Sequence, residues 1–99
     1  MLTANSVVSQ CRRMLSTELG GELVMMDVEA GAYYVANGLG GVIWRLIDRP
    51  MSVDAVVDAV VERYEVEWGR CREDVLAFLT RLYQAELIDL ERPQDPPVE

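Results

Sequence analysis

The stretch GELVMMDVEAGAYYVA, Gly21 to Ala36, decides how this chain must fold. Glu22 to Val28 is a β-rich run, Glu29-Ala30-Gly31 reverses it, and Ala32 to Ala36 resumes with Tyr33, Tyr34 and Val35 at its centre. Strands joined so tightly form an antiparallel hairpin. Both alternating sets of side chains are apolar: Leu23 and Met25 on one phase, Val24, Met26 and Val28 on the other, and likewise Tyr33 and Val35 against Tyr34. A sheet with one wet face alternates more cleanly, so this hairpin carries surplus apolar surface.

Upstream, Val7 to Met14 reads as a further strand, with Gly20-Gly21 permitting the turn into the hairpin. Downstream the period changes. Asn37 is a favoured N-cap residue, Leu39, Val42, Ile43, Leu46 and Ile47 follow at helical spacing, and Pro50 stops the segment. Ser52 then caps a run in which Val53, Val56, Val57, Val60, Val61 and Tyr64 fall on one stripe, outweighing the small helix penalty of valine. After a loop through Trp68-Gly69, a third helix runs from about Arg70 to Ala85, and Leu87, Ile88 and Leu90 close the body as an extended stretch. The order β-β-β-α-α-α specifies an α+β, winged helix-turn-helix-like domain: a three-stranded antiparallel sheet followed by three helices. The domain is expected over residues 7–91, with Met1 to Ser6 loosely held and Arg92 to Glu99, rich in proline, forming a disordered tail.

Composition narrows the chemistry. At 99 residues the chain has room for one core, and 51% hydrophobic residues are ample to fill it. It contains no His, and all nine basic residues are Arg, which removes imidazole bases, His metal ligands and lysine chemistry. Seventeen acidic residues against those nine give a net charge of -8, the wrong sign for binding phosphates and the right one for a cationic or mostly apolar polypeptide. Cys11 and Cys71 match no metal or redox spacing and read as free thiols of a reducing cytosol. The apolar runs fall far short of the ~18 residues that span a bilayer, so no membrane is expected.

On a helical wheel the third helix places Phe78, Leu82, Val75, Leu79, Tyr83, Leu76 and Leu87 on an arc of roughly 180°, against the ~100° a core-facing helix needs. Asp74, Arg81, Gln84 and Glu73 hold the other side. The last strand of the meander, Ala32 to Ala36, is an edge without Lys, Pro or any charge to blunt it. An open edge beside a surplus apolar flank can accept an extended peptide by strand addition. Cover by loops or by a dimer partner is the competing reading.

The segment GELVMMDVEAGAYYVANGLGGVIWRLID, Gly21 to Asp48, resembles the PqqD-like family of leader-peptide recognition elements. Its pattern is an apolar strand ending in Asp27, the Glu29 to Gly31 turn, Tyr33-Tyr34 running to Asn37, and a helix bearing Ile43-Trp44; the Val-rich helix and a Phe78/Leu79/Leu82 helix follow in order. Tyr-Tyr and Ile-Trp-Arg-Leu-Ile are most similar to the freestanding version of lasso-peptide assembly. Where the family usually has Leu before the Asn, this chain has Ala36, and Gly40-Gly41 follows, leaving room that something else must fill.

The resemblance implies a binding protein without catalysis or cofactor, whose ligand is the leader of a ribosomally made precursor peptide. The leader would lie antiparallel to Ala32, Tyr33, Tyr34, Val35 and Ala36, in a groove completed by Asp74, Val75, Leu76, Leu79 and Tyr83. A Tyr-x-x-Pro motif would put its ring and pyrrolidine into an apolar pocket, and Asp74 would pair with an Arg or Lys. The implied partners are a separate cysteine-type leader peptidase and a macrolactam cyclase, all in the cytoplasm. Two alternatives stand beside this. One is a leader chaperone for another such pathway or for quinone-cofactor synthesis with a radical enzyme. The other is winged-helix DNA binding, which the zero charge sum over Arg70 to Glu86 disfavours.

Overall fold

Glycine turns set the first half of the chain, and valine stripes the second. The computed structural model describes residues 2, 3, 5–36 and 38–91. The elements run β1 (Val7–Gln10), β2 (Met14–Leu19), β3 (Glu22–Asp27), β4 (Ala32–Ala36), α1 (Leu39–Leu46), β5 (Met51–Ser52), α2 (Val53–Tyr64), α3 (Trp68–Gln84) and β6 (Ile88–Glu91). The expected α+β architecture is present, with an antiparallel β2-β3-β4 meander and three helices. The tail from 92 and the Asn37 cap lie outside the described residues; the N-cap position of α1 belongs to Gly38, at φ 57.

The upstream strand is the main correction. Val7 to Met14 is not one strand of the meander: the chain bends after Gln10, where the Met14 N–H donates to the Cys11 carbonyl at 3.0 Å. The strand that pairs with β3 is β2, in register Leu19 to Glu22 and Met14 to Asp27. β1 instead sits at the centre of a second sheet, ordered β5-β1-β6, antiparallel to both neighbours. The closing extended stretch is β6, so its partner lies some eighty residues away in sequence. Leu2, only 5% exposed, packs into the same core, so the ordered body begins before Val7.

The core joins both sheets to the helices. Leu23 and Met25 of β3, Ile43 and Trp44 of α1, Val53, Val56, Val57 and Val60 of α2, Val75 and Leu79 of α3, and Val8 of β1 are all buried in one cluster. Ser52 caps α2 as its spacing foretells, its hydroxyl accepting from the Ala55 N–H at 3.1 Å. The last two members of the valine stripe differ: Val61 is half-buried and Tyr64 exposed. α3 begins at Trp68 rather than Arg70, because the Glu67 carboxylate caps it through the Arg70 N–H and the Trp68 indole donates to Asp58 of α2 at 2.8 Å. Among the described residues no helix is long and apolar enough to cross a membrane, and no group of side chains is arranged to hold a metal ion.

Candidate functional site

Two turns determine which backbone groups of β4 are free. Gly20 and Gly21, both at positive φ, form the two-residue turn that closes Leu19 against Glu22, and such a turn hydrogen-bonds its closing pair. Pairing alternates along an antiparallel ladder, so Glu22, Val24 and Met26 direct their amides to β2, and Leu23, Met25 and Asp27 theirs to β4. The other hairpin agrees. Gly31, at φ 68, donates its N–H to the Asp27 carbonyl at 2.9 Å, the closure of a loop with a glycine bulge. With Met25 opposite Tyr34 and Leu23 opposite Ala36, Tyr34 and Ala36 are bonded inward. The amides of Tyr33 and Val35 therefore point out of the sheet edge.

Side chains follow the same alternation. Tyr34 and Ala36 pack against the core, whereas Tyr33 is 70% and Val35 53% exposed. The turn after β3 is held by Asp27, which is buried and accepts from the Ala30 N–H and from Arg13 Nε, both at 3.1 Å. The Ala30 amide first, and the Arg13 guanidinium with it, hold the Asp27 carboxyl below the usual range despite the opposing cost of burial. Arg13 also donates to the Glu86 carbonyl at 2.8 Å, just past the end of α3. The Ala32 end of β4 is thereby tied, through its partner Asp27, to the C-terminal end of α3.

A groove of about 450 Å³ runs beside the other end of β4, lined by Val35, Ala36, Leu39, Gly40, Asp74 and Phe78, with Ile43, Ala77 and Arg81 completing it. Its floor is the Phe78 ring. A Cβ at Gly40 would stand 3.2 Å from that ring and 3.6 Å from the Ala36 methyl. The space left by Ala36 and Gly40 is thus filled by Phe78. A second, mostly apolar cavity of about 240 Å³ continues beyond Leu39 and Asp74, walled by Val60, Tyr64, Val66 and Cys71. Burial, with Asp74 adding to it, pushes the Cys71 thiol up, so it meets this cavity as a small apolar wall and not as a thiolate.

Of the residues singled out from sequence, Val35, Ala36 and Asp74 line the groove; Tyr33 and Tyr34 stand on opposite faces of its strand, and Ala32 lies at the far end. On α3 the predicted flank and the lining of this groove differ. Val75 and Leu79 have no exposed surface, Leu76 is half-buried against the core, and Tyr83 lines a different cavity with Arg13, Glu86 and Ile88. The groove flank is Asp74, Ala77, Phe78 and Arg81. The wheel gives the width of an apolar arc but not which side the sheet approaches; Tyr83 stands with Ile88 and Leu90 of β6 around that separate cavity. Phe78 was legible in that arc; Leu39 and Gly40 were legible only as parts of a helix.

Known proteins share this family and fold. The family model for coenzyme PQQ synthesis protein D matches residues 22–88. No curated protein matches significantly. Among solved structures, TbiB1 in complex with the TbiA(beta) leader peptide superposes at a TM-score of 0.74 and 26% identity, covering 88% of this chain and 99% of that one. Lasso peptide synthetase B1 complexed with the leader peptide superposes at 0.73 and shares 20% identity, over 82% of this chain and 95% of that one. With the match extending from the first residue of β3 to the first of β6, the chain belongs to the PqqD family.

Proposed function

We propose that this protein binds the leader of a ribosomally made precursor peptide by strand addition to β4 and delivers it to a separate leader peptidase in lasso-peptide biosynthesis. The observation that carries the reading is a coincidence of two features at one edge: the outward amides of Tyr33 and Val35, and an apolar groove on the side of the sheet next to α3. Two similar structures hold leader peptides, which supports the same class of ligand here. A leader antiparallel to β4 would place an aromatic ring in the cavity walled by Val60, Tyr64 and Val66, and a smaller apolar residue over Phe78. Each such anchor contributes roughly 1.5 to 3 kcal/mol and each strand hydrogen bond about 0.5 to 1.5 kcal/mol, offset by the ordering of a flexible segment. Micromolar to high-nanomolar affinity is expected.

The role is recognition without catalysis, in the cytoplasm, by the domain of residues 7–91 together with the Leu2 side chain that packs into its core. Delivery needs a second surface. The outer face of the meander exposes Leu15, Met26 and Tyr33, which stand in register across all three strands, and this row is the proposed contact for the cysteine-type peptidase, upstream of a macrolactam cyclase. The family's description as a coenzyme synthesis protein favours one other reading, delivery of a peptide to a radical enzyme of quinone-cofactor assembly.

The test is hydrogen exchange and calorimetry with the leader of the short open reading frame beside the gene. Binding is expected to slow exchange of the Tyr33 and Val35 amides selectively. A bound leader that leaves both amides unprotected would refute strand addition, and the precursor that binds decides between the two pathways.

A further inference from the structure

Two charges bracket the groove floor. Asp74 and Arg81 both line it, both are exposed, and among the described residues neither takes part in an ion pair. They stand two helical turns apart, about 10.5 Å at 1.5 Å per residue, with Phe78 between them. A groove that is negative at one end and positive at the other is complementary only to a strand with the opposite polarity.

Direction follows from contacts already described. The Ala32 end of β4 is tethered through Asp27 and Arg13 to Glu86, past the C-terminus of α3. Beyond its Ala36 end, Leu39 shares a cavity with Cys71 and Asp74, from the N-terminal part of α3. β4 therefore runs opposite to α3, and a peptide antiparallel to β4 runs with it, from Asp74 towards Arg81. Residues facing each other across an antiparallel pair project to the same side of the sheet. The peptide residues opposite Ala36 and Tyr34, and the one two places before them, thus point towards α3, at about 6.8 Å intervals.

From this we infer that the groove selects a polarised motif, cation-x-apolar-x-anion read from N to C. The cation meets Asp74, the apolar residue covers Phe78, and the anion meets Arg81. The outer pair of the motif is about 13.6 Å apart, some 3 Å more than the separation of Asp74 and Arg81 along the helix, a difference that long side chains absorb. The inference rests on the strand-addition reading and adds the charge order to it. Exposed pairs contribute little each, but reversing the motif converts two attractions into two repulsions.

The test uses two fluorescein-labelled synthetic peptides of identical composition, Gly-Tyr-Thr-Lys-Pro-Leu-Thr-Glu-Thr-Val-Ser-Gly and its twin with Lys and Glu exchanged, titrated by fluorescence anisotropy at low salt. The protein is expected to bind the Lys-first peptide about tenfold more tightly, a difference of about 1.4 kcal/mol, and the preference should shrink in ~1 M salt. The double variant Asp74→Arg/Arg81→Glu should invert the order of the two peptides. Asp74→Asn and Arg81→Gln should each remove part of the preference; all these positions are on the helix surface, and unchanged circular dichroism verifies folding. Equal binding of the two peptides, or a preference that the double variant leaves as it was, overturns the charge inference and spares strand addition. Failure of both peptides to bind overturns strand addition and this inference with it.

Discussion

The two three-stranded sheets of this small domain are built on opposite principles. The meander β2-β3-β4 is continuous in sequence, turned by glycines, and ends in an uncharged edge; the sheet β5-β1-β6 is assembled from pieces at residues 7, 51 and 88, and its central strand carries the fully buried Val8. One sheet closes the chain upon itself; in the other, among the described residues, β4 is paired on one side only. β2, the opposite edge of the meander, shows what a guarded edge looks like: Glu18 there is paired with Arg45 of α1, whereas β4 has no charged residue. Openness is therefore a local property of β4 and not a consequence of the domain being small.

That contrast can be probed by placing the same substitution in each sheet. Val8→Pro removes a buried side chain and a ladder donor from a central strand, where proline is essentially excluded. The expected cost is about 3 kcal/mol or more, which lowers the melting temperature by more than about 12 °C in a domain of this size. Val35→Pro deletes only an outward amide and should shift the melting temperature by a few degrees at most. Leader affinity, however, should fall about 30-fold, because the incoming strand loses a hydrogen bond and meets the pyrrolidine ring. Calorimetry paired with thermal melts separates the two; retention of full affinity in Val35→Pro would remove the distinction between the sheets.

How much of this was legible in sequence follows the same division. The hairpin, its open edge and the valine helix were readable because turn and strand signals lie within a few residues of each other. β1 and β5 were not, and β6 showed only as an extended stretch without a partner: strands of four, two and four residues with partners some forty to eighty residues away leave no local pairing signal, and Val7 to Met14 looked like one strand because its break at Cys11 depends on a backbone bond to Leu87. The groove was half legible. Ala36 and Gly40 announced a gap, and the Phe78 ring that fills it sits on the helix expected to border it. Which flank of that helix meets the edge is a matter of long-range packing, which the helical wheel does not carry.

The gap itself offers a sharper probe. Gly40→Leu introduces a Cβ 3.2 Å from the edge of the Phe78 ring, and the ring can yield only into the groove. Replacing a helical glycine gains up to about 1 kcal/mol of propensity, which offsets the displacement, so the melting temperature should barely move. The groove is then occupied by the protein's own side chains, and leader affinity should fall about tenfold. Unchanged affinity would place the apolar anchor elsewhere.

The smallest expected effect concerns how the open sheet is held in place. Asp27 organises the β3–β4 turn through Ala30 and ties it to Arg13 and thence to the end of α3. Its carboxyl lies below the ordinary value in the folded state, chiefly because the Ala30 amide bonds the charged form. A group whose folded pKa is depressed adds stability that is complete above its unfolded pKa, about 3.9, and disappears as pH falls through the lower folded value. Melting curves from pH 6 downwards should therefore stay flat with respect to Asp27 until about pH 4 and then decline. Asp27→Asn should start lower at neutral pH and show a shallower acid decline, since its amide cannot titrate. The other sheet provides the control: β1, β5 and β6 contain two carboxylates, Asp89 and Glu91, both exposed, so exchange protection lost first on acidification should be that of the hairpin amides at Gly31 and Tyr34, while those of β1 persist. If both sheets lose protection together, Asp27 supports the whole domain and the meander has no separate hold.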